Sequence, residues 1–415
     1  MRRLVCLLLL VASPLTHAAD EATLSFDEAV GLALDHAPQV TAVAEGAAAM
    51  RELQISAGRL PDPALIVGVD NLPVEGPDAW STTADFMTMR NVGLMQEFPS
   101  RKKRRAERER ASADVGLADA ELAESSLAVA RETARAWISS ATSESTLQQL
   151  ARLRPELEFG ATSARAGVAA GKASTAEALA AAAAAARLET RIVDLQGKAR
   201  QARAELARWI GADAERPLGP LPAFEALPAP AAALLADAES HGAILPYAAR
   251  LVAARSDLEL AYAERNPDWS AALSYGNRGP AFEDMASLEF TVDLPLFARY
   301  RQNPVIAARS ADLRRLEAER EAGLRAHTTE LRQMLIEWEQ SGVQLAQYDG
   351  ELLPLARERS RAALAAYRSG GADLRFAVDA FEDELELLLE RAELADARGR
   401  AWAFLRYLEP RQLPG

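Results

Sequence analysis

Cysteine is nearly missing from this chain. The single example, Cys6, lies in a leading segment in which Arg2 and Arg3 precede the short apolar run LVCLLLLVAS and small residues end at Ala18. Residues 1–18 read as a secretory signal peptide, too short to be a spanning helix. Its removal leaves no thiol, which excludes a disulfide framework and a thiolate metal site, and no lipobox surrounds a cysteine to carry a lipid anchor. Basic charge is also short. Losing Arg2 and Arg3 takes the formal charge from −13 to −15, with 45 basic against 60 acidic residues. An exported chain this acidic is a poor ligand for nucleic acid. No later run of about 18 apolar residues is present, so no transmembrane helix is expected. Aromatics are only 6% of the residues, while Ala, Leu, Glu and Arg dominate, a profile of long helices rather than compact cores. No GxGxxG, Walker A, GxSxG or HExxH pattern occurs, and no enzyme or cofactor is expected.

What is there is mostly helical text. Leu117, Leu122, Leu127, Val129, Ala134, Trp137, Ile138 and Leu147 fall near helical spacing within a segment running from Ser100. Pro155 predicts a kink, and Gly167 to Gly171 an end. A second helix follows to Ile210, making a hairpin over residues 100–210, and a Pro-rich connector occupies 211–240. Similar text returns over 304–408.

Four segments break the helical pattern, near 64–72, 85–98, 268–277 and 284–295. In the last, Ala286, Leu288, Phe290, Val292 and Leu294 alternate with Ser287, Glu289, Thr291 and Asp293. Period two places two faces in different solvents. The chain also repeats once. GRLPDPALIVGVDN echoes AERNPDWSAALSYGN, and Pro155 and Gly171 match Pro354 and Gly370, both pairs 199 residues apart. Residues 19–210 and 241–415 are thus two copies of a helix–strand–strand–helix–helix unit.

Four strands with one apolar face cannot stand open in a membrane, because unpaired edges in hydrocarbon cost several kcal/mol per group. One chain has too few strands to close a barrel, so several chains must share one. Phe98, Trp269, Phe297 and Tyr300 bracket one end of the strands and Trp80, Phe86, Tyr275 and Phe282 the other, as interfacial girdles would.

These features together resemble the TolC family of outer-membrane efflux ducts. The carriers are LSFDEAVGLALDHAP, the duplication, and the tip motifs AGKASTAEAL and YRSGGADLRFAVDA. PDPALIVGVDNLP with MTMRNVGLMQEFPSRKKRR resembles the heavy-metal-efflux branch, the partners of copper and of cobalt–zinc–cadmium pumps. The resemblance implies a mainly α fold with a membrane β-barrel portion: a homotrimer with a twelve-stranded barrel continuous with a long helical periplasmic tunnel. It implies as partners a periplasmic adaptor (membrane fusion) protein, an inner-membrane RND-type pump and outer-membrane lipid.

The resemblance also assigns residues. Glu177 and Asp379 match aperture carboxylates, and Phe376 stands where a further aspartate is often found, which argues against a double acidic ring. Gly171, Gly370 and Tyr367 belong to the adaptor-facing tips. The basic run Arg101, Lys102, Lys103, Arg104 and Arg105 follows the second strand, at the periplasmic rim, where anionic headgroups would meet it; a merely solvated helix face is the alternative. Met87, Met89, Met95 and Met285 share one strand parity, that of the lumen, and thioethers suit Cu(I), although flexible packing is the commoner role. His36, His241 and His327 are scattered without metal spacing and read as structural or exposed.

Three rival readings remain at this level: a duct for drug efflux or type I secretion, a periplasmic adaptor, and a soluble coiled-coil scaffold. An adaptor would carry Gly-rich β domains around one hairpin, whereas this chain has two hairpins and two strand pairs.

Overall fold

The computed structural model describes residues 23–171 and 174–413; the signal-peptide segment lies outside them. Helices α1 (Phe26–His36) and α2 (Pro38–Ser56) lead to strands β1 (Ala64–Asp70) and β2 (Met89–Phe98), then α3 (Arg101–Ala169) and α4 (Thr175–Ile210). After a connector bearing the short α5 (Ala231–Ala236), the order recurs as α6 (Leu245–Ala263), β3 (Trp269–Asn277), β4 (Met285–Val292), α7 (Gln302–Gln347), α8 (Leu353–Arg368) and α9 (Leu374–Arg406). A π-turn, Tyr348–Leu352, joins α7 to α8. Among the described residues, no helix is long and apolar enough to cross a membrane.

The four strands form one antiparallel sheet in the order β1-β2-β3-β4, leaving β1 and β4 as edges. The adjoining helices follow the same order, α2 against α3, α3 against α6 and α6 against α7. One chain is therefore a strip with α2 and β1 along one side and α7 and β4 along the other. α3 has 69 residues, or roughly 100 Å at ~1.5 Å per residue. It runs unbroken through Pro155, where the sequence predicts a kink.

Two apolar clusters hold the helices together. Midway, Phe26, Val30, Trp137, Leu206, Trp209, Trp402 and Tyr407 pack around α1. Two of the indoles find partners: Trp137 Nε1 donates to Leu24 O at 3.3 Å and Trp402 Nε1 to Ala226 O at 2.9 Å, whereas Trp209 Nε1 is buried without a partner among the described residues. Leu24 also bonds the connector, through Leu24 N to Pro217 O at 2.8 Å and Gly219 N to Leu24 O at 2.9 Å. Towards the hairpin tips, Leu150, Leu188, Leu353, Phe381 and Leu388 form the second cluster. Ala181 and Ala184, from the alanine run of α4, are buried there. Small side chains let the helices approach closely while keeping high helix propensity.

Candidate functional site

The sheet register sorts side chains into two faces. Leu65, Leu94, Leu273 and Leu288 stand opposite one another across all four strands, and Val67, Val92, Tyr275 and Ala286 form the next row on that face. The opposite face carries the rows Ile66, Gly93, Ser274 and Ser287, and Ala64, Met95, Ala272 and Glu289. On the apolar face nothing among the described residues covers the side chains: Leu65 is 67% exposed and Leu288 and Phe290 are each 64% exposed. Phe98 and Trp269 stack at 4.2 Å on this face, at the end next to the helices.

Three strands are shorter than their patterns predict; β1 ends at Asp70. Residues 85–88 belong to the loop before β2, because their polar groups are used locally. Met87 N donates to Asp85 Oδ1 at 3.3 Å, and Thr88 Oγ1 donates to Asn71 O at 2.9 Å. β4 stops at Val292; Pro295 offers no ladder N–H, and Leu296 N turns back to Leu294 O at 2.9 Å. Met87 therefore leaves the strand set. Met89, Met95 and Met285 share the polar face, as their parity predicts. Met89 and Met285 both adjoin Gly276, whereas Met95 lies six residues along β2, about 20 Å away. One chain does not gather these thioethers into one pocket.

At the far ends of the helices each tip carries a glycine in the left-handed region. Gly171 and Gly370 adopt φ of 67° and 73°, and a Cβ at either would meet nothing within 4 Å. Glycine is required there by backbone conformation alone. Glu177 closes a capping box at the start of α4: its Oε2 accepts from Ser174 N at 2.8 Å, and Glu177 N donates to Ser174 Oγ at 3.2 Å. Asp379 is exposed and lies 3.8 Å from Arg375 of the preceding turn. Tyr367 packs half-buried against the tip cluster, while Phe376 and Leu179 point outward, 62% and 66% exposed.

The basic run divides. Lys103 Nζ pairs with Asp268 Oδ2 at 2.9 Å, and Asp268 Oδ1 accepts from Ser100 N at 2.7 Å. One carboxylate thus fixes the start of α3 to the start of β3, and this bond holds the Lys103 ammonium above its ordinary pKa. Arg104 is half-buried and Arg105 pairs with Glu109 at 2.7 Å. Arg101 and Lys102 are exposed without an ion pair among the described residues.

A profile of the outer membrane efflux protein family matches residues 68–212. The chain is similar in structure to VceC, an outer membrane protein of Vibrio cholerae, at 18% identity and TM-score 0.75, covering 92% of this chain and 95% of that one. It is similar to the CmeC outer membrane channel of Campylobacter jejuni at 12% identity and TM-score 0.78, covering 93% and 86%, and to CusC at 15% identity and TM-score 0.71, covering 95% and 93%. No curated protein matches the sequence. The fold is that of the outer-membrane efflux channels. The three match at comparable TM-scores, so the fold alone carries no preference among them.

One pair of residues in this channel fold escapes sequence reasoning. His241 Nδ1 and His327 Nε2 lie 2.9 Å apart in a buried hydrogen bond. The two are 86 residues apart and belong to no motif; only packing brings them together. His36, at the matching place in the first repeat, is exposed. Among the described residues, no group of three or more His, Cys, Asp or Glu could hold a metal ion.

Proposed function

We propose that three copies of this chain pair β4 of one with β1 of the next to form a twelve-stranded barrel in the outer membrane. Their helices continue the barrel as a periplasmic duct for a tripartite efflux system, which receives cargo from a periplasmic adaptor protein and an inner-membrane RND-type pump. The observation that carries this reading is the four-stranded sheet with two unpaired edges and a bare apolar face, joined directly to the long helices α3, roughly 100 Å, and α7. In this reading Gly171, Gly370 and Tyr367 belong to the adaptor-facing tips. Three copies of Asp379, with Glu177 beside its capping role, ring the aperture and favour cations. Arg101 and Lys102 are the members of the basic run left to meet lipid headgroups. Heavy-metal cations are the proposed cargo, supported by the likeness of the first strand pair and the basic run to that branch. A deletion strain should be sensitised to copper, cobalt, zinc or cadmium, and unchanged metal tolerance would count against this cargo.

The duct itself is tested by mass in detergent. A trimer is expected, and a monomer with an intact β signal would refute the reading. Leu288→Arg and Phe290→Arg should each reduce trimer yield far more than Glu289→Arg, since a midplane arginine facing lipid costs about 2–4 kcal/mol. Equal yields for the three would invert the assigned faces.

A further inference from the structure

The histidine pair lies where three parts of the chain meet. His241 opens the second repeat and is fully buried, and His327, in the middle of α7, is 7% exposed. The residue after His241 is held tightly: Gly242 N donates to Leu408 O at 2.8 Å, and a Cβ on Gly242 would collide with Leu127 of α3. The His327 ring lies 6.4 Å from Phe404 of α9. A short segment at the start of the second repeat is thereby held against α3, against α7 and against the residues that follow α9. The imidazole pair is its buried link to α7; nearer the surface Arg320 of α7 also pairs with Glu239 of the connector at 3.0 Å, and the Tyr247 ring lies against Gly323 of α7.

That link depends on protonation state. A hydrogen bond between two ring nitrogens needs a proton on one and a lone pair on the other. His241 Nε2 is buried without a partner. If His327 Nε2 donated, the neutral His241 would carry its proton on Nε2 as an orphaned N–H. If His241 Nδ1 donates, Nε2 is only an under-used lone pair, which is the cheaper arrangement. Adding one proton creates a buried imidazolium, and adding a second leaves two cationic N–H groups facing each other. The surroundings do not welcome either charge. Arg131 of α3 raises the cost at His327, and Asp237 of the connector opposes it only at His241. The adjoining cavity, about 440 Å³, balances Arg131 and Arg135 of α3 and Arg400 of α9 against Glu132 of α3 and Glu330 and Glu337 of α7; the α6 side contributes Ala243. Burial is the chief cause that holds both rings below the ordinary imidazole range, His327 at about 4.

We propose that the His241–His327 pair is a proton-sensitive lock that fastens the start of the second repeat to α7 when neutral and releases it in acid. With both pKa values depressed, the lock is fully present above the unfolded value near 6.5 and is lost as pH falls towards about 4. This does not depend on the duct reading, because the event is internal to one chain.

The test is hydrogen–deuterium exchange on the full detergent-purified protein, corrected for intrinsic rates, at pH 7 and about pH 4.5. Peptides covering 237–247 and the His327 turn should lose protection about tenfold in acid, while the tip segment 374–388 stays unchanged. His327→Gln, which keeps a hydrogen-bonding side chain without titrating, should abolish the pH response. If that variant does not fold, the contrast between the two regions in the native protein still decides. Equal protection at both pH values, an equal loss at the tip, or the same loss in His327→Gln would overturn the proposal. So would a gain of protection at pH 7 on adding Zn2+ or Cu+ that vanishes in His327→Gln, since the pair would then be a metal clamp.

Discussion

The two helical hairpins carry proline at matching places and accommodate it differently. In the first, α3 continues through Pro155 as one helix. In the second, α7 gives way to the π-turn Tyr348–Leu352, and Pro354 falls in the first turn of α8. Leu353 N reaches back five residues to Tyr348 O. Proline costs several kcal/mol inside an α-helix, through its missing N–H and the crowding of its ring against the carbonyl four residues back. Around Pro354 the backbone stays helical, and the wider π-turn relieves that crowding. Each proline region is clamped across its hairpin by an arginine and a carboxylate. Arg154 pairs with Glu189 of α4, and Arg391 of α9 holds Asp349 of the π-turn by two bonds of 2.7 and 3.0 Å. Tyr348 adds a bond from its hydroxyl to Glu390 at 2.7 Å. Related sequences can therefore keep the same long-range clamp while solving the backbone problem in two ways.

The sharpest test of this contrast uses the prolines, both exposed. Pro155→Ala should raise thermal stability by about 1–3 kcal/mol, as removal of a mid-helix proline does. Pro354→Ala should stay within about 0.5 kcal/mol of wild type. The opposite order in denaturation midpoints would mean that the π-turn, not α3, bears the strain. A smaller effect probes where the hairpins agree. Gly171→Ala and Gly370→Ala should each cost about 1 kcal/mol, through the left-handed backbone alone. Unequal losses of local exchange protection at the two tips would show that the turns differ after all. The smallest effect concerns the second clamp. Arg391→Ala should cost ~0.2–1 kcal/mol, shrinking in high salt, because the pair is partly exposed.

Much of this fold was legible because it rests on short-range patterns. The alternation of Trp269, Leu273 and Tyr275 and of Ala286, Leu288 and Phe290 is the pattern of one sheet face, and β3 follows it closely. The tip glycines punctuate both hairpins where the backbone turns left-handed. What was not legible depends on partners distant in sequence or on competing local bonds. Residues 85–88 carry a strand-like pattern but give their polar groups to Asp85 and Asn71. The run Phe98–Arg110 looks like one basic patch, yet Asp268 takes Lys103, Glu109 takes Arg105 and Asp257 takes Arg110. Nothing around His241 announces a partner 86 residues away. The π-turn is equally silent, since no residue type marks a shift from four-residue to five-residue bonding.

The open sheet edges also bear on how the molecule is made. In the proposed trimer, a chain not yet paired presents free backbone N–H and C=O groups along β1 and β4 beside a row of bare leucine, valine and phenylalanine side chains. The same edges that would join proper neighbours will join any strand they meet. Time spent alone is therefore the vulnerable interval in this protein's life. Correct closure grows faster with rising local concentration of like chains, and so does misassembly. Escort by a holding chaperone, or delivery straight to the site of insertion, would keep the first process ahead of the second.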